Sequence, residues 1–187
     1  MPAVFGILQE PVPATSLLRT YREGPDPEAW EHFNDCFSVT VDRPVTLAEF
    51  VYVFYTSPVF RIERLVLRLA RLPSTDAEAR QLADGKREVF AAWRVAQRTG
   101  TQLLMCDVLG RTRSWFCITL LPDGRTSRTL LQFGSGIAAG IEPRTGQRRR
   151  SIGFRLLGGF HTLYSQVLLH SVRDRLAAEA TGQGGLQ

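Results

Sequence analysis

The sequence predicts an α+β domain in which a curved antiparallel sheet meets a long C-terminal helix. Three features carry this expectation. Between residues 87 and 133 the apolar pattern has a period of two, interrupted at Gly100, at Gly110 and at Pro122-Asp123-Gly124, which is how hairpin-linked strands read. From Phe160 the period lengthens to that of a helix, with Leu163, Tyr164, Val167, Leu168, Val172 and Leu176 on one stripe. Ahead of the strands, Thr46, Ser57 and Thr75 are N-cap signals for three further helices.

In chain order, residues 1–34 are proline- and glycine-rich and predict a mostly irregular arm. Residues 35–41 alternate, with Phe37, Val39 and Val41 on one side, and predict a half-buried strand. Thr46 with Glu49 predicts a capping box, in which each side chain satisfies an otherwise orphaned backbone donor, and the helix it opens runs to about Tyr55. Ser57-Pro58 restarts the helical pattern. Ile62, Leu65, Val66 and Leu69 then share one face, Arg61, Arg64, Arg68 and Arg71 line another, and Pro73 stops the helix. Thr75 with Glu78 is a second capping box, and Gly85 offers a left-handed exit from a short helix. Four strands follow, over 87–97, 101–108, 112–121 and 125–133. Residues 134–153 predict a loop holding one more short strand. Gly158 and Gly159 precede the last helix, and a flexible tail begins at Thr181. The domain proper is thus 35–180.

A chain of 187 residues buries roughly 70% of the surface that it exposes when unfolded, enough for a core and an internal cavity. With 44% apolar and 22% charged residues it lacks the composition of a disordered chain. Lys86 is the only lysine, so the net charge of +5 is carried by arginines scattered through every segment. Cys36, Cys106 and Cys117 form an odd set without metal or redox spacing and predict reduced thiols in a cytoplasmic protein. The first ten residues do not read as a secretory signal, and arginines break every apolar run short of the ~20 residues a membrane span needs.

Few residues suggest chemistry. His161 and Tyr164, three apart on the last helix, share a face and could offer a proton donor and acceptor. Asp107 and Arg113 flank Gly110 symmetrically, so a three-residue loop would set them opposite each other, whereas another loop length would separate their faces. Trp93, Met105, Trp115 and Phe133 are large side chains placed to line a cavity, although core packing needs the same residues. Both faces of 112–121 are partly apolar, Phe116, Ile118 and Leu120 opposing Trp115 and Cys117. This predicts cover by helix on one side and by the arm or a second subunit on the other. Gly134-Ser135-Gly136 lacks the context of a phosphate loop or a nucleophile elbow, and His32, His161 and His170 have no metal-ligand spacing, so no metal is expected. Arg144 and Arg148 to Arg150 make the densest basic cluster. Without a nucleic-acid motif beside it, this reads as solvated surface rather than a nucleic-acid site.

The order of elements, together with Asp107, the run Gly110-Arg111-Thr112-Arg113-Ser114-Trp115, and Phe160, His161 and Tyr164, resembles the START-like (SRPBCC, helix-grip) superfamily. It also resembles uncharacterised bacterial domains of unknown function. The chain departs from that pattern in showing about five strands, so the arm or the loop before the last helix must supply the remainder. The resemblance implies a sheet wrapped around the last helix and a cavity between them for a small apolar or amphipathic molecule. Trp93, Met105, Trp115, Phe133, His161 and Tyr164 would be its lining, and no cofactor is called for. Two alternatives stay open. One is an enzyme of the same fold, of cyclase, hydratase or isomerase type, using Asp107, Arg113, His161 and Tyr164. The other is a module that binds an acidic partner through its arginines.

Overall fold

The computed structural model describes residues 6–22, 34–123, 126–138, 140–141, 148–149 and 152–183; in the last helix the side chains of 162–179 are described. The elements are β1 (Leu8–Gln9), α1 (Leu17–Thr20), β2 (Asn34–Val41), α2 (Leu47–Thr56), α3 (Pro58–Leu69), α4 (Asp76–Ala83), β3 (Val89–Phe90), β4 (Trp93–Arg98), β5 (Gln102–Asp107), β6 (Thr112–Asp123), β7 (Thr126–Ile137), β8 (Gly140–Ile141), β9 (Arg148–Arg149) and α5 (Ile152–Gln183). Seven strands form one open antiparallel sheet in the order β1-β2-β7-β6-β5-β4-β3, and β8 pairs with β9 separately. β4 to β7 are the meander that the turn signals predicted, and β3 extends it by one more hairpin. The crossover comes earlier: α2, α3 and α4 carry the chain from β2 to β3 at the far edge, and the meander returns to lay β7 beside β2.

Register fixes which side chains share a face. Phe37 pairs with Phe133, Phe133 with Phe116, and Phe116 with Leu103, so one row of large side chains crosses four strands. Phe50, Phe54 and Tyr55 of α2 and Leu168, Leu169, Val172 and Leu176 of α5 cover that row and complete the main core. Arg175 of α5 donates to the carbonyl and hydroxyl oxygens of Thr56, satisfying the end of α2 while joining the two helices.

On the opposite face Cys36, Leu104, Trp115 and Cys117 meet Val12, Leu17 and Leu18 of the arm. Of the two expected covers for this face, the structure has the arm. The arm is also more ordered than its proline content predicted: Leu8 and Gln9 add an edge strand to β2, and Ser16 caps α1. Gly134 makes the close packing possible, since a Cβ there would lie 2.9 Å from the Asp35 carbonyl oxygen and 3.0 Å from the Trp115 ring. Cys36, Cys106 and Cys117 are free and buried, and burial, with the nearby Glu10 and Asp35 carboxylates, pushes the Cys36 thiol up to about 12.

Several boundaries depart from the sequence reading. The expected strand over 87–97 is two strands, because the chain reverses at Ala91, which takes a positive φ of 50° without glycine or proline to announce it. Thr46 caps α2 as expected, but Glu49 pairs with Arg43, so its capping box is half made, whereas Thr75 and Glu78 make both bonds. The expected loop over 134–153 instead holds the end of β7 and the β8–β9 ribbon. α5 starts at Ile152, carries through Gly158 and Gly159 despite glycine's helix cost of about 1 kcal/mol each, and ends beyond Thr181. The expected Gly124 turn and residues 184–187 of the tail lie outside the described residues.

The largest departure is the orientation of α3. Ile62, Leu65, Val66 and Leu69, the apolar face that the sequence pattern offers, are between 60% and 81% exposed. Phe60 inserts among Phe54, Tyr55 and Trp93, and Arg64 donates to the side chain and carbonyl oxygen of Ser74 and pairs with Asp76. One well-seated aromatic ring and one arginine network therefore set the rotation, against four aliphatic residues. Leu65→Ser is accordingly expected to leave the unfolding free energy from urea titration within about 0.5 kcal/mol of wild type. A loss of about 2 kcal/mol or more would mean that this stripe is packed.

Candidate functional site

Where the first residues of β6 and the last of β7 pass beneath α3 and α5, the layers part around a cleft of about 210 Å3. Phe54 and Tyr55 of α2, Phe60 of α3, Trp93 of β4 and Phe133 of β7 give it aromatic walls. Ser114, Ser135, Ser165, Glu63 and Tyr164 supply its polar groups. Ser114 and Ser135 face each other across β6 and β7, and the Ser135 hydroxyl donates to Asp35 Oδ1 at 2.6 Å.

Glu63 is the one acidic side chain in the lining. It stands one turn beyond Phe60, on the side of α3 that the Phe60 ring turns inward. Its Oε2 accepts a hydrogen bond from the Tyr164 hydroxyl on α5. No cation among the described residues pairs with it; its helical neighbours Arg61 and Arg64 both pair with Asp76. Burial holds the Glu63 carboxyl above its ordinary range, and the Tyr164 hydrogen bond draws it part of the way back. The Tyr164 phenol is pushed far up by burial and then by the Glu63 charge, and Tyr55 is raised in the same way. Next to Tyr164, Ser165 is fully buried, and its Oγ has no hydrogen-bond partner among the described residues.

The raised Glu63 pKa has a direct consequence for stability. The folded protein holds this proton more tightly than the unfolded chain does, so the contribution is fully present below the unfolded carboxyl pKa. It is lost as pH rises through the higher folded value. Ligand-free Glu63→Gln should therefore be more stable than wild type at about pH 7, and the gap should close near pH ~4 in urea midpoints. A Glu63→Gln protein that is less stable at neutral pH would indicate a cation paired with the carboxylate.

Of the residues expected from sequence, Trp93, Phe133 and Tyr164 come together at this cleft. Met105 lies in the main core, and Trp115 points to the opposite face of the sheet against the arm, so neither lines it. His161 lies on α5 three residues before Tyr164, and its side chain is outside the described residues. Asp107 does not oppose Arg113. The β5–β6 connection is one residue longer than a three-residue loop, which pairs Cys106 with Arg113 and sends the two charges to opposite faces. Asp107 Oδ1 instead accepts the N–H groups of Arg111 and Thr112 at 2.6 and 2.8 Å, closing the turn in which Gly110 takes a φ of 65°. Arg113 is 2% exposed and lays its guanidinium over the Tyr21 ring at 4.9 Å. Sequence reasoning missed Glu63, Ser165 and the walls from α2 and α3. The signal for Glu63 was its place one turn from Phe60 and one from Leu67, which required knowing that this side of α3 is the buried one.

Among the described residues no group of histidine, cysteine, aspartate and glutamate is arranged to hold a metal, and no helix is long and apolar enough to cross a membrane. No protein-family model matches the chain, and no curated protein matches it. Among solved structures, the crystal structure of TTHA0849 from Thermus thermophilus is similar over 78% of this chain and 98% of that one, at 16% identity and a TM-score of 0.26. A likeness at that level carries no argument about function.

Proposed function

We propose that this chain is a START-like, helix-grip protein that binds a small apolar or amphipathic molecule in the cleft between its sheet and α5. The observation that carries the reading is the cleft itself: aromatic walls from two helices and two strands enclose a few convergent polar groups, the usual composition of a ligand site. Its volume of about 210 Å3 is below the ~300–1,000 Å3 of pockets for drug-sized ligands, which favours a small ligand or one that inserts only part of itself. The seven antiparallel strands, with α5 lying across β2, α2 and α3, agree with the element order that suggested this superfamily. Trp93 sits on the cleft wall and serves as the reporter. A neutral brominated probe, 4-bromobenzyl alcohol, should quench wild-type fluorescence saturably, and Trp93→Phe should lose that quenching. Equal saturable quenching in both proteins would place binding elsewhere.

A second reading, an enzyme of the same fold, draws on Glu63. Burial moves its pKa towards the range in which a carboxyl can act as a proton donor near neutral pH, and Tyr164 holds it in place. Turnover of a copurifying molecule that disappears in Glu63→Gln would support catalysis. Turnover unchanged in that variant would remove Glu63 from the chemistry.

A further inference from the structure

We propose that the ligand of this cleft is an organic cation: a small apolar body bearing a protonated amine that seats against Glu63. The inference rests on the reading of the cleft as the ligand site and names the class of molecule it takes.

Glu63 is the starting point. A carboxyl withdrawn from water into aromatic surroundings is costly when charged unless a counter-charge meets it. The fold supplies none among the described residues, because Arg61 and Arg64, the arginines nearest in sequence, are both engaged with Asp76. Tyr164 occupies Oε2, and Oε1 carries no hydrogen bond among the described residues, although a carboxylate offers about four acceptor sites. Ser165 is a second, independent sign. Its Oγ is fully buried in the cleft lining with no partner among the described residues, and such a hydroxyl is ordinarily satisfied. A primary ammonium has three N–H donors and no acceptor, so it answers a carboxylate oxygen and a hydroxyl oxygen together.

The walls fit the same charge. The rings of Phe60, Trp93 and Phe133 line the cleft, and an aromatic face attracts a cation within about 6 Å. An anion finds the reverse. Arg113, the one arginine in the lining, turns its guanidinium to Tyr21 on the far face of the sheet. Nothing cationic among the described residues therefore remains in the cleft to offset Glu63.

Three probes of one shape and different charge test this: benzylamine, benzyl alcohol and benzoate, titrated at neutral pH against wild type and Glu63→Gln with Trp93 fluorescence and calorimetry. Benzylamine is expected to bind wild type at least about ten-fold more tightly than benzyl alcohol, with benzoate weakest. Glu63→Gln should bring amine and alcohol to within about three-fold while still binding the alcohol, which shows that its cleft is intact. Benzyl alcohol binding as well as benzylamine to wild type would overturn the cation and leave the cleft standing. An amine preference that survives Glu63→Gln would overturn the role of Glu63. Failure of all three probes to bind would overturn the cleft as a ligand site as well. Should the variant not fold, the wild-type ranking alone decides whether the cleft selects a cation.

Discussion

Trp115→Ala is expected to destabilise the protein by about 3–5 kcal/mol and to release the N-terminal arm. Trp115 is 1% exposed, the largest of the fully buried side chains, and sits between the sheet and Leu17 and Leu18 of α1. Its indole N–H donates to Gln102 Oε1 at 2.8 Å, and the same oxygen accepts the Leu17 N–H at 2.9 Å, so one amide ties the strand to the first residue of α1. Alanine removes the ring that α1 packs on and leaves a cavity lined by Leu18, Cys36 and Leu104. The loss should appear in urea unfolding and in faster tryptic cleavage after Arg19, an exposed site on α1. Benzyl-probe affinity of the protein that remains folded should be unchanged, because Trp115 faces away from the cleft. Intact arm protection with altered probe binding would mean that Trp115 faces the cleft after all.

Phe54→Ala should cost a similar amount, about 3–5 kcal/mol, for a different reason. The Phe54 ring lies 4.8 Å from both Phe116 and Phe133 and also touches Phe50, Tyr55 and Phe60, so it joins α2 and α3 to the centre of the sheet. Such ring pairs contribute about 0.5–1.5 kcal/mol beyond the area they bury. Phe54 also forms part of the cleft wall, so its truncation should weaken probe binding as well as stability. That pairing of effects distinguishes it from Trp115→Ala. With whole-domain stabilities of roughly 5–15 kcal/mol, either substitution removes a large fraction of the total.

The contrast between these two tryptophan- and phenylalanine-centred regions shows what the sequence could reveal. The strand spanning Trp115 and Phe116 was apolar on both faces, and that alone required cover on both sides of the sheet. Which segment provided the second cover was not legible, because Val12, Leu17 and Leu18 are set among prolines that break any periodic signal. Capping chemistry fixed the starts of α2, α3 and α4, since Thr46, Ser57 and Thr75 act on backbone groups within three residues. The rotation of α3 depends instead on contacts far along the chain. Four aliphatics at helical spacing outweigh Phe60 in the pattern, although none of the four is buried and Phe60 is. Glu63, the acid of the cleft, is hidden for the same reason, since it stands between Arg61 and Arg64 in the sequence and only the rotation of α3 turns it inward. Asp107 failed for a local reason: one extra residue in its turn exchanges a cross-strand pair for a turn-closing carboxylate.

Native mass spectrometry of freshly purified protein, set beside a denatured sample, decides whether the cleft holds a small cation. The expected result is a low-mass species bound to the native protein, lost on denaturation, and carrying an amine. Native and denatured masses that agree, in a protein that also fails to take up any benzyl probe, would contradict it.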